Sequence, residues 1–269
     1  MFFRTVVLLS CILVYSCLFV KTDLAFENKV PVLHQTLPAE FQLITTGYLS
    51  ELMVEVLFVK TSVFLGSVQS KISAVSYEKP LAYNLEVMNS LYPEFIDPYF
   101  FAQSFLAPIS KSSAKITNSI HEKGIKTFPE NFIIRFFHAF NYYTFLNDPL
   151  KSALAFKDGA AIPDAPPMFE HLAALFSGRG GNIAAGLAIL KTMLANESNR
   201  NTIEQYMKEI EVFQDALVVE QAIDAYERKY QITPSNLNVL VPEFIKELPE
   251  MRYGFILTYT PPSLILIRK

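Results

Sequence analysis

The chain has 269 residues, 51% of them hydrophobic, so it is long enough to bury one elongated core or two smaller ones, and a disordered chain is excluded. Its formal net charge is −3, and taking Arg4 and Lys21 away with the N-terminal segment leaves −5, a balance that excludes non-specific nucleic-acid binding. With 23 Phe, 13 Tyr and no Trp beside only nine Gly, bulky packing dominates and glycine-rich phosphate loops have little room.

The first element is apolar. Sixteen residues from Thr5 to Val20 carry no charge, with Arg4 before them and Lys21, Asp23 and Glu27 after. This predicts a membrane-directed segment over 1–21, with the N-terminus in the cytoplasm and the body on the periplasmic side. A helix of that length reaches about 24 Å, short of a hydrocarbon core of about 30 Å, and Phe2, Phe3 and a snorkelling Arg4 make up the difference. Retention as a single-pass anchor is the expectation. Cleavage, and lipidation at Cys17 within the lipobox-like Val14-Tyr15-Ser16-Cys17, are the alternatives. Cys11 and Cys17 are the only cysteines, so the body holds no disulfide and no thiolate metal site.

A linker over 22–40 with Pro31 and Pro38 leads to apolar residues at helical spacing, which predict one long, mostly buried helix from Phe41 to about Ser70. Lys79-Pro80 interrupts, and a second helical stretch covers Leu81 to Leu91. Three segments then begin alike, PEFIDPYFFAQSFL at Pro93, PENFIIRFFHAFNYY at Pro129 and PPMFEHLAALFSGRG at Pro166, spaced 36 and 37 residues apart. Each runs apolar from a proline suited to a helix start, breaks, and resumes as a second amphipathic helix near Ser113–Ile120, Leu150–Phe156 and Ile183–Leu194. Helix, turn, helix at this period predicts stacked α-hairpins over 41–201, with Gly178-Arg179-Gly180-Gly181 as an inter-helix turn.

These segments resemble the tetratricopeptide family in degenerate form, with Phe, Tyr and Ala at the Trp-Leu-Gly-Tyr positions. Together with LPAEFQLITTGYLSELMVEVLFVKTSVFLGS, they are similar to membrane-anchored, tetratricopeptide-like bacterial proteins, although Glu51 and Phe58 stand where that family tends to have Asp and Trp. The resemblance implies a superhelical fold and a scaffold role.

The last unit, 202–269, starts with a predicted long amphipathic helix from Thr202 to Tyr230. A short helix from Pro234 to Val241 follows, then GFILTYT and SLILIRK flank Pro261-Pro262 as a β-hairpin whose prolines confine pairing to the arms. The string AIDAYERKYQITPSNLNVLVPEFIKELPE resembles the helix-to-strand junction of type II secretion pseudopilins, with Gln231-Ile232-Thr233 in place of the usual residues and no calcium-ligand cluster after it. The fold class expected is therefore mainly α, with a membrane helix before it and a small β-hairpin at its end.

Chemistry is sparse. His34, His121, His138 and His171 sit at no two-ligand spacing, and no nucleophile elbow or phosphate loop appears, so no catalytic residue, metal or cofactor is expected. Glu209 with Glu211, and Glu51 with Glu55, are read as solvated faces, and His138 as a core or groove histidine. Among the aromatic residues from Tyr99 to Phe145 most are expected to fill the core and a subset to face a groove. Tyr99, Arg135, Asn141 and Tyr142 are the candidate contacts for a protein or peptide there, being polar-tipped or charged among apolar repeats. The expected function is a scaffold in a bacterial envelope assembly. The alternatives are a component of a type IV pilus or type II secretion-like machine, and an enzyme with a composite site.

Overall fold

A computed structural model describes residues 12–16, 18, 19, 31–68 and 72–269. Most of the expected membrane segment, Cys17 and the first part of the linker lie outside the described residues; 12–16, 18 and 19 are helical and exposed. Among the described residues no helix is long and apolar enough to cross a membrane. The body is mainly helical and ends in a two-stranded antiparallel sheet.

The helix expected from Phe41 to Ser70 is two helices. α1 (Ala39–Thr46) stops at Gly47, whose φ of 49° is a backbone state glycine takes without steric penalty, and a 3₁₀ turn leads into α2 (Ser50–Ser67). Nor is α2 mostly buried. Val54, Thr61, Phe64 and Leu65 face inward, but the opposite side is open to solvent. Apolar residues surround this helix, so the sequence pattern could not show which side meets the core.

α3 (Glu78–Leu91) takes Pro80 into its first turn, where a missing N–H is harmless, and buries Leu81, Leu85 and Met88 at intervals of three and four residues. The three proline-led segments each fold as helix, break, helix. They comprise α4 (Asp97–Phe101, continued by a π turn to Leu106) with α5 (Lys111–Thr127), α6 (Phe132–Thr144) with α7 (Pro149–Ala160), and α8 (Met168–Arg179) with α9 (Ile183–Asn196). Pro93 and Pro129 mark the approach to these helices and not their first turns. The start of α6 belongs to Asn131, whose side chain accepts from the N–H groups of Ile133 and Ile134 at 3.0 Å. Ser110, Asp148 and Asn182 cap α5, α7 and α9 in the same way.

From α5 onward each helix packs on the next in chain order, ending with α10 (Arg200–Tyr230) against α9. β1 (Phe255–Thr260) and β2 (Ser263–Arg268) pair from Phe255↔Arg268 to Thr260↔Ser263 around the Pro261-Pro262 turn. Phe255, Leu264 and Leu266 point inward, and the hairpin lies on α8 and α10.

Packing is tight enough that small residues are obligatory. A Cβ on Gly186 of α9 would lie 2.4 Å from Phe213 Cε1 and 2.7 Å from the carbonyl oxygen of Ala174, whereas one on Gly66 of α2 meets nothing within 4 Å. Gly186→Ala is expected to lose about 1–3 kcal/mol through overpacking, even though alanine's helix propensity alone favours it by about 1 kcal/mol. Gly66→Ala should instead gain stability, and urea titration of the two variants reads both signs.

Candidate functional site

Two of the four candidate contacts lie in the interior. Tyr99 of α4 is fully buried, donates its hydroxyl hydrogen to the Pro93 carbonyl at 3.0 Å, and sets its ring edge-on to Phe128. Asn141 is also fully buried. Its amide donates to the Ala114 carbonyl at 2.8 Å and to Asn118 Oδ1 at 2.7 Å, tying α6 to α5. A partner resting on the surface touches neither side chain. Arg135 and Tyr142 are half-buried, and with His138 they occupy positions i, i+3 and i+7 on one face of α6. Arg135 donates from Nε and from a terminal nitrogen to the Pro129 carbonyl, at 3.0 and 2.8 Å, closing the turn before its own helix. Tyr142 stands edge-on to the His138 ring at 5.1 Å, with Lys151 Nζ 5.8 Å from its ring centre.

Behind that face sits His121 of α5, fully buried and 6.5 Å, ring to ring, from His138. Its Nε2 lies 3.2 Å from the Tyr99 carbonyl, which can only accept, so Nε2 carries the proton. Burial, with His138 close by, pushes the His121 imidazole down to about 3, and burial lowers His138 as well. Both rings are neutral at pH 7. They make a poor proton relay there; His121 ties α5 to α4 through the Tyr99 carbonyl, and among the described residues Nδ1 of each ring is buried without a hydrogen-bond partner.

Glu209 of α10 departs furthest from expectation, since its side chain is 2% exposed where a solvated face was anticipated. His171 Nε2 of α8 meets one carboxylate oxygen at 2.7 Å; Gln205 Nε2 and the Arg268 guanidinium of β2 reach the other at 3.0 and 2.5 Å. Burial raises this carboxyl, but the hydrogen bond and charge of His171, with help from Gln205 and Arg268, outweigh it and leave the group below the usual carboxylate range. An ionised carboxylate with both oxygens engaged is a clamp and a weak general base. A cavity of about 330 Å³ opens beside it, lined by Gln205, Lys208, Tyr253, Phe255 and Arg268. The sequence held one signal of this burial, because Glu209 stands three residues after Tyr206 and four before Phe213 on the inward stripe of α10. Its partners on α8 and β2, 38 and 59 residues away, left no local mark.

Large apolar side chains are also exposed on α1, on α2 and in the turn between them. Tyr48 is 105% exposed, Ile44 83% and Val63 66%, and Leu49, Leu52 and Val59 are exposed beside them. Large exposed apolar side chains in one contiguous array mark interaction sites. Among the described residues no three His, Cys, Asp or Glu side chains converge to hold a metal ion. No family profile, curated protein or solved structure matches this chain.

Two outcomes test these assignments. Because unfolded His121 titrates near 6.5 and the folded residue near 3, the unfolded state binds more protons between those values and stability falls as pH falls. Acidification from pH 7 to pH 5 is expected to remove about 2 kcal/mol through this group, and His121→Gln should flatten that part of the stability–pH curve. Glu209→Ala is expected to cost about 1–3 kcal/mol, chiefly by leaving the largely covered His171 without its hydrogen-bond partner, since Arg268 is 42% exposed and regains water, with hydrogen exchange rising first in β2.

Proposed function

We propose that this chain is a membrane-anchored docking scaffold of a bacterial envelope assembly. The N-terminal apolar segment holds it to the cytoplasmic membrane with the body on the periplasmic side, and tetratricopeptide-like hairpins carry the contact surfaces. The observation that carries this reading is the exposed apolar array of α1 and α2, a surface that a free monomer would leave in water. The helix pairs α4–α5, α6–α7 and α8–α9 support the hairpin part of it, since stacked pairs offer extended faces for a helix or strand of a partner.

On this reading the protein is not an enzyme. Glu209, His121 and His138 serve packing, and Arg135 and Tyr142 on the open side of α6 are the contacts of a second, smaller protein or peptide surface.

The test is site-specific photo-crosslinking in intact cells. A photoreactive residue at Tyr48 or Val59 should capture discrete protein bands, and one at Glu204, on the exposed side of α10, should not. Arg135→Ala and Tyr142→Ala should weaken capture at α6 with helicity intact, while Tyr99→Ala should destabilise the chain by about 3–5 kcal/mol. Equal labelling at all positions, or none at α1 and α2, would sink the docking proposal.

A further inference from the structure

We infer that the occupant of the α2 face is a second copy of this chain, the two α2 helices pairing in parallel as a short left-handed coiled coil. This rests on the docking reading of the α1–α2 surface and names its partner.

The outward residues of α2 are regularly spaced. Leu49, Leu52, Val56, Val59, Val63 and Gly66 follow one another at intervals of three, four, three, four and three residues, and all are exposed. That is the 3.5-residue repeat of a coiled-coil seam, with Val56 and Val63 at the a positions and Leu52, Val59 and Gly66 at d of α2, and Leu49 extending the spacing to the residue that caps the helix. The inward residues Val54, Thr61 and Val68 fall at f, diametrically opposite. One helix therefore carries two faces: one already used by its own core and one that repeats like an interface and has no cover from the rest of the described chain.

The flanking charges select both the occupant and its direction. Glu55 occupies g and Lys60 the e position of the following heptad, and both are exposed. In a parallel pair, g of one helix lies beside the next e of the other, so Glu55 meets Lys60 of the second copy, twice by symmetry. An antiparallel pair sets Glu55 against Glu55 and Lys60 against Lys60. A lipid surface is favoured less, because Glu40, Glu51 and Glu55 border the apolar array where a membrane-lying helix carries lysine and arginine.

Two and a half heptads are too few for isolated helices to fold and pair in water. Here α2 is already formed by packing on α3, so association does not have to order it. A parallel pair also starts both α2 helices at the same end, which suits two chains held in one membrane.

The experiment uses the 269-residue chain in detergent, with Cys11 and Cys17 changed to Ser. Leu52→Cys and Val59→Cys should each give an oxidised covalent dimer, and a mixture of the two variants should give no crosslink joining position 52 of one chain to position 59 of the other. Glu55→Lys and Lys60→Glu should each weaken dimerisation about tenfold in sedimentation equilibrium, and mixing those two variants should restore it as a heterodimer. Unchanged helicity and melting temperature show that the exposed substitutions leave the fold intact. A monomer at every concentration, a crosslink formed only between the two different variants, or uptake of the chain by phosphatidylglycerol vesicles that depends on Val59 would each overturn the inference. If photo-crosslinking at Val59 still captures a different protein, the docking reading survives this failure. If Val59 captures nothing, both fall.

Discussion

The ring of Phe156 lies fully buried on α7, with the rings of Phe136 on α6 and of Phe169 and Phe176 on α8 each 5.6 Å away. Three consecutive helices converge on this one side chain, and the middle of the body is organised around it. Through Ile189 of α9 the interior continues toward Phe213 and the hairpin, while a separate buried cluster with Ile134, Ile120 and Leu106 reaches α3 and α2. Because each helix packs mainly on its chain neighbours, strain or mobility at α7 would be felt in both directions. Rings placed edge to face in such a cluster add roughly 0.5–1.5 kcal/mol per pair beyond the area they bury.

The same logic explains where polar groups enter the core. Packing helix on helix in chain order leaves seams between neighbours, and short polar side chains stitch them. Asn141 reaches across to α5, while Ser110 and Ser113 at the start of α5 donate to the Glu78 carboxylate of α3, at 2.5 and 2.6 Å. At the far end the stitch is ionic. Glu209 joins α10 to α8 through His171 and to the last strand through Arg268, so a two-stranded hairpin that is marginal alone becomes part of the body. Glu78 and Glu209 thus act as joints between elements.

That division gives α2 its interest. Its sides facing core and solvent are both apolar, and its outward side repeats with coiled-coil period. Helices that satisfy a core with one face usually turn charges to water with the other. Here Glu55 and Lys60 stand at the edges of the outward face, where in a paired helix they choose partner and direction, and Glu51 stands outside it.

Much of this was legible in the residues. Helical periodicity, the breaks between helices and the alternation of the last strands depend on neighbours within about four positions, so the mainly α fold, the paired helices between residues 93 and 196, α10 and the hairpin follow from local pattern. Capping side chains such as Asn131 and Asp148 belong to the same local grammar. Tertiary structure alone decided which way each face turned. Tyr99 and Asn141 went inside and Arg135 stayed at the surface because α5 covers one side of its neighbours and not the other. Glu209 was buried by His171 and Arg268, and α2 kept an apolar face in solvent, because burial is set by residues far along the chain that no short window contains.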